Sequence, residues 1–302
     1  MLCLIHGSRK EVTKNMEEEI KKIKQYHTKE ERLAEYSGED RVVSSVELEK
    51  ELQGQKGKEI YKFLSKISTL DKFMEGFETG ELTIVSGYTG HGKTSLCQSL
   101  TLAFLEADIK SLWFSYEMPA RLFFSKFPSL PLFYLPRILK EKAIDWIEDR
   151  IIEAKTKYEI RVVMIDHLHF LVDLIKMKQP SLEIGTIVRS LKLLALKHNI
   201  TLFLVAHTSM PRQEAGPGLA DIRDSSFITQ EADSVIAIHR KKSGKTDKSL
   251  YGNESLITIL KSRRTGAMGR KINVLYTNKR FQEVSQEDYE GVTEEAPEEL
   301  ER

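Results

Sequence analysis

The stretch LTIVSGYTGHGKTSL, residues 82–96, decides the fold. Leu82 to Val85 form a short apolar run with β-branched residues, which reads as a buried strand, and Lys93 to Glu106 reads as a helix. Between them lies Gly87-x-x-x-x-Gly92-Lys93-Thr94, with a further glycine at Gly90. Glycines let the backbone turn so that several N–H groups face one anion. The helix that follows adds the positive end of its dipole. In this strand–loop–helix context the spacing predicts a phosphate loop running from Gly87 through Ser95. Lys93 would neutralise the β- and γ-phosphates of a nucleotide, and the Thr94 hydroxyl would sit on Mg²⁺.

Working outward, apolar runs recur at 111–117, 161–166, 201–207, 234–240, 255–263 and 272–278. Helical patterns fill the gaps between the first four strands: Lys93 to Glu106, Leu139 to Tyr158 and Ser181 to His198. Strand alternating with helix predicts an α/β fold, a mostly parallel sheet with helices on both faces. The last three strands are joined by short connections, so that edge is expected to be antiparallel. Residues 61–282 are read as this domain. Residues 1–60 form a helical extension or linker, with a Glu/Lys-rich helix over Met16 to Leu33 and a second over Ser45 to Leu52. The acidic tail, 283–302, reads as disordered.

Several strand ends carry polar groups. Asp166 closes RVVMID beside the loop, where it can hold magnesium through water. Glu117 follows SLWFSY, where a carboxylate can polarise an attacking water; alone, it is equally an ordinary strand-end residue. His207 closes TLFLVAH and can touch the γ-phosphate, although a lone strand-end histidine is commonly structural. Lys261 and Arg263, in ILKSRRTG, would by themselves pass as a surface basic cluster.

Taken in order, Lys93-Thr94, Glu117, Asp166, His207 and Lys261/Arg263 resemble the motor domain of hexameric replicative helicases, a family that includes the DnaB type, the Twinkle-type mitochondrial helicases and the phage primase-helicases. The matched stretches are FETGELTIVSGYTGHGKTS, SLWFSYEMP, MIDHLHF, GLADIRDSSFITQEADSVIAIHR and LKSRRTGAMG, and the resemblance covers roughly residues 60–280. It implies a RecA-like core, ATP and Mg²⁺ as cofactors, and a hexameric ring with ATP held between subunits. In that scheme Glu117 is the catalytic base and Arg263 the arginine finger reaching the next subunit's γ-phosphate. Lys261 is the finger's neighbour, and Arg240 and Tyr276 flank the nucleotide base. His207 stands where the DnaB type usually has Gln, which resembles the phage and Twinkle branch. The implied activity is ATP-dependent unwinding of DNA during replication, by translocation on single-stranded DNA. DNA would be held in the ring centre by Lys176 and Lys178 in one loop and Arg212 and Arg223 in another. A separate primase or loader is an implied partner. The alternatives are a RecA-like recombinase or recombination mediator, and a ring-forming regulatory ATPase without unwinding.

Composition bounds these readings. With 302 residues the chain has ample material for a core, and 46 basic against 45 acidic residues exclude a surface coated in positive charge. No apolar run approaches the ~20 residues of a membrane span. Cys3 and Cys97 stand far apart, Cys3 and His6 lack two further metal ligands, and the cysteines read as reduced thiols of an intracellular protein. The expected location is the cytoplasm or nucleoid, or a mitochondrial matrix or kinetoplast-like organelle in a eukaryote.

Overall fold

The computed structural model describes residues 29–54, 60–140, 144–171, 180–208, 216–222, 225–242 and 251–284. The chain divides into two compact units, residues 1–58 and 59–302. Among the described residues of the first are two helices, α1 (Lys29–Ala34) and α2 (Ser45–Gly54). Ser44 caps α2, its hydroxyl accepting the Glu47 N–H at 3.1 Å. Residues 16–28 of the expected long helix lie outside the described residues.

The second unit opens with a small antiparallel pair, β1 (Lys62–Phe63) and β2 (Phe77–Glu78), around helix α3 (Ser68–Met74). The main sheet then forms from β3 (Leu82–Gly87), β4 (Ser111–Ser115), β5 (Val162–Asp166), β6 (Thr201–His207), β7 (Ser234–Lys242), β8 (Tyr251–Ser262), β9 (Arg270–Thr277) and β10 (Arg280–Glu283). Its order is β10-β9-β8-β7-β3-β6-β5-β4. From β7 to β4 every neighbouring pair is parallel, and from β7 to β10 every pair is antiparallel. β3, with a parallel neighbour on each side, is buried at all six positions, which is why its Leu82 to Val85 reads as an apolar run.

Alternation along the strands feeds two cores. On one face Ile84, Val163, Ile165, Leu202, Leu204 and Val235 meet α6 (Ile144–Tyr158) and α7 (Pro180–His198). Helix α6 buries Ile147, Ile151 and Ala154, and α7 buries Ile184, Val188, Leu191 and Ala195, each at the spacing of one helical stripe. On the other face Val85, Met164, Phe203, Val205 and Ile236 meet α3 and α4 (Lys93–Glu106), through Leu70, Met74, Leu96, Leu100 and Phe104. The remaining described α-helices are α5 (Ala120–Ser125) and α8 (Ser225–Glu231), and short 3-10 turns cover Leu168–Leu171 and Leu219–Asp221.

Two expectations need correction. The strand predicted over 111–117 ends at Ser115, although Tyr116 N–H still bonds Asp166 O at 2.8 Å, and Pro119 ends the local extended run. The described chain also runs past the expected boundary at residue 282, through a strand the sequence did not predict. Asn278 and Lys279, both at positive φ, make a two-residue hairpin into β10, whose Glu283 accepts the Thr69 N–H at 2.8 Å. No described helix is long and apolar enough to cross a membrane.

Candidate nucleotide site

The phosphate loop leaves the C-terminal end of β3 between β6 and β7, the position where parallel α/β sheets bind ligands. Gly87 is required by a close approach: a Cβ there would lie 2.4 Å from the Ile238 carbonyl oxygen on β7. Gly92 opens α4 at φ 95°, a left-handed conformation that favours glycine.

Lys93 is buried, and its Nζ donates to the carbonyls of Gly87 at 2.9 Å and Tyr88 at 3.0 Å. Burial lowers its pKa, and Glu117 and Asp166 act against that shift. The Thr94 hydroxyl donates to Asp166 Oδ2 at 2.7 Å, joining the loop to the end of β5. Asp166 is fully buried; desolvation pushes its carboxyl up to about 6, opposed by the Thr94 bond. Its Oδ1 has no hydrogen-bond partner.

Glu117 lies 3.7 Å from His167 Nδ1, and that contact, ahead of His207 and Lys93, holds its carboxyl below the usual range despite partial burial. His207 is half-buried, and desolvation followed by the Lys93 charge lowers its pKa to about 4. Its ring meets that of His167 edge-on, with centroids 4.3 Å apart.

A cleft of about 440 Å³ opens over the loop, lined by Gly90, Gly92, Lys93, Thr94, Ser95, Glu117, Arg240 and Tyr276 among others. Arg240 donates from Nε and Nη2 to the Gly252 carbonyl, at 3.1 and 2.8 Å, so its guanidinium is anchored to β8. Its backbone N–H donates to His91 Nδ1 at 3.1 Å, tying the loop to β7. Burial and the neighbouring His239 lower the His91 pKa to about 4, which keeps Nδ1 an acceptor.

Lys261 and Arg263 are not in this cleft. Lys261 Nζ donates to the carbonyls of Thr229 and Ala232, closing the C-terminal end of α8. Arg263 donates to Gln230 O at 2.8 Å and pairs with Asp233 at 3.3 Å. Asp233 N–H in turn bonds Leu82 O, at the start of β3. The phosphate loop begins five residues further along that strand, roughly 16 Å away at a strand's rise per residue. Lys176, Lys178, Arg212 and Arg223 lie outside the described residues.

Sequence reasoning missed His91, His167 and Lys126. Lys126 lines the cleft across from the loop on a turn held by Lys279, whose Nζ donates to Ser125 O and Phe127 O at 2.8 and 2.9 Å. His167 had a signal: it follows Asp166 at a strand end already singled out.

The arrangement can hold a polyphosphate with a hard cation and set a carboxylate beside the terminal phosphate. Comparison with known proteins gives the family. The model of the DnaB-like helicase C terminal domain matches residues 63–129 and 138–283. The replicative DNA helicase DnaB of Mycoplasma genitalium is 29% identical over 247 residues, spanning 68% of this chain and 52% of that protein. The DnaB of Leifsonia xyli is 25% identical over 223 residues, spanning 62% and 49%. The chain thus spans about half the length of the curated relatives it matches. Among solved structures, one isolated ATPase domain superposes with a TM-score of 0.64 at 18% identity, covering 80% of this chain and 97% of that one. A DnaB-like replicative helicase, described with its interactions with primase, gives 0.64 at 17% identity, covering 91% and 77%.

Proposed function

The chain belongs to the DnaB-like helicase C-terminal domain family, and from that membership we propose that it is the motor of an ATP-driven, ring-forming helicase that translocates on single-stranded DNA during replication. The observation that carries the reading is the separation of its catalytic parts. Lys93, Thr94, Asp166 and Glu117 share one cleft, while Arg263 stands at the other end of β3. A finger so placed acts on a nucleotide held by another subunit.

The Mg²⁺ donor set fits a hard cation: the Thr94 hydroxyl and the Asp166 carboxylate, whose Oδ1 has no partner, are oxygen ligands. Bound there, Mg²⁺ would neutralise charge on the β- and γ-phosphates. Lys93 would exchange its two backbone carbonyls for phosphate oxygens. Glu117 would orient and polarise the attacking water, and His207 would contact the γ-phosphate. Arg240 and Tyr276 would enclose the base, since a guanidinium and a phenol both stack on a purine. Lys261 would hold the end of α8 and so set the neighbouring Arg263. Lys176, Lys178, Arg212 and Arg223 would contact the DNA backbone, with a correspondingly steep salt dependence. A separate primase or loader belongs to the proposal, as does a hexameric ring working in the cytoplasm or nucleoid.

The test is steady-state ATP hydrolysis with and without single-stranded DNA, alongside displacement of a labelled strand from a forked duplex. DNA should stimulate turnover, and Arg263→Ala should bind ATP yet lose on the order of 10³-fold in turnover. Stimulation without strand displacement would favour a recombinase or mediator. Turnover indifferent to DNA would favour a regulatory ring.

A further inference from the structure

Three consecutive parallel strands, β6, β5 and β4, end on one edge of the sheet, and each brings one metal-binding side chain there. His207 closes β6, His167 stands one residue beyond β5, and Glu117 stands two residues beyond β4. One ligand atom from each lies within 4.8 Å of the other two. Glu117 Oε2 is 3.7 Å from His167 Nδ1, and the imidazoles meet edge-on with centroids 4.3 Å apart. His167 Nδ1 and His207 Nδ1 are both buried with no hydrogen-bond partner. Two buried ring nitrogens without hydrogen-bond partners are costly to a fold, and a shared ligand would relieve both.

The geometry points to a second cation site, formed by Glu117, His167 and His207, that takes a divalent transition metal of the Zn²⁺ class and, when filled, stops hydrolysis. Two imidazoles and a carboxylate suit Zn²⁺, Co²⁺ or Ni²⁺, whereas Mg²⁺ selects oxygen ligands such as Thr94 and Asp166. Three protein ligands leave coordination positions open to water. The three atoms must close in around the ion, and Glu117, the exposed member, has the freedom to do so. A carboxylate ligating a metal no longer polarises water at the γ-phosphate. That inhibitory half rests on the role proposed for Glu117; the binding half does not.

The experiment titrates the full nucleotide-free chain with Co²⁺ and follows its visible d–d absorption, then measures turnover in excess Mg²⁺ with added Zn²⁺. Expected are one Co²⁺ per chain, visible bands, and no near-ultraviolet thiolate transition, which excludes the cysteines as ligands. His167→Ala and His207→Ala should each weaken Co²⁺ binding by at least the ~10-fold that loss of even an outer-shell partner costs. His239→Ala, which removes a ring packed on the phosphate loop's His91, should leave binding unchanged. Circular dichroism confirms that each variant is folded, and His167→Gln serves where the alanine variant is not. Zn²⁺ should suppress turnover, and a chelator selective for transition metals over Mg²⁺ should restore it. Absence of binding, or binding indifferent to both His167 and His207, would overturn the site. Binding without loss of turnover would overturn the inhibitory switch. The Co²⁺ titration decides the site even for a chain that hydrolyses nothing.

Discussion

Glu117 and Asp166 are carboxylates at the ends of adjacent parallel strands, yet their surroundings push them apart. Asp166 is buried and raised to about 6, and a cation taking up its Oδ1, which has no hydrogen-bond partner, would offset that cost. Glu117, held below the usual carboxylate range by His167, stays ionised at neutral pH and is available to draw a proton from water. Glu117→Gln should therefore keep nucleotide binding, read by a fluorescent analogue, and lower turnover by roughly 10²–10⁴-fold. A variant within tenfold of the parent would place water activation elsewhere. His91 permits a test on stability. Its folded pKa is about 4 against an ordinary 6.5, so across that window the unfolded chain binds a proton that the folded chain excludes. Its contribution is complete above about pH 6.5 and declines as the pH falls through the window. The drop in unfolding temperature between pH 7 and pH 5 should be smaller in His91→Gln than in the parent; equal drops would sink the assignment. The loop residues around it were legible because their spacing has one physical use. His91 itself was hidden, since its partner is a backbone N–H on a strand 149 positions away.

At the scale of elements, β3 and β7 set the shape of the phosphate loop together. Gly87 ends β3 against the Ile238 carbonyl, so a methyl group there presses on the backbone of β7 and cannot be absorbed by a side-chain rotation. Gly87→Ala should cost about 1–3 kcal/mol, lowering the unfolding temperature by roughly 2–4 °C for each of those kcal/mol. Affinity for ATP should fall with it, as measured by calorimetry. A variant that melts and binds like the parent would show the contact to be soft. The parallel strands were legible because burial on both faces writes continuous apolar runs. β10 was not, because its hairpin turns through Asn278-Lys279 without glycine and its residues, Arg280-Phe281-Gln282-Glu283, are mostly polar. The end of β4 was overrun for the converse reason: Tyr116 has strand propensity, but the fold needs the chain to leave the sheet there and present Glu117.

For the whole molecule, the polarity of the sheet separates the parts of the proposed catalytic apparatus. The C-terminal ends of β3, β5 and β6 carry the phosphate loop, Asp166 and His207. β8 runs antiparallel to β7, so it returns Lys261 and Arg263 to the opposite edge, where Asp233 and the end of α8 hold them. On the proposed roles, one chain would present its nucleotide cleft on one edge and its finger on the other, as a head-to-tail assembly requires, and that assembly makes a ring where its rotation closes. Subunit mixing tests this directly. Glu117→Gln lacks the water-polarising group and Arg263→Ala lacks the finger, so each should be nearly inactive alone. If the finger acts between subunits, a ring containing both contains interfaces where an intact cleft from one variant faces an intact finger from the other. Random assembly at equal concentrations makes about a quarter of interfaces of this kind, and ATP turnover should reappear on mixing. If the finger acts within its own chain, every subunit in the mixture remains defective and turnover stays at the level of the separate variants. Size-exclusion chromatography with light scattering, run on the same mixture, shows whether rings formed. Rings without recovered turnover would reject the in-trans finger.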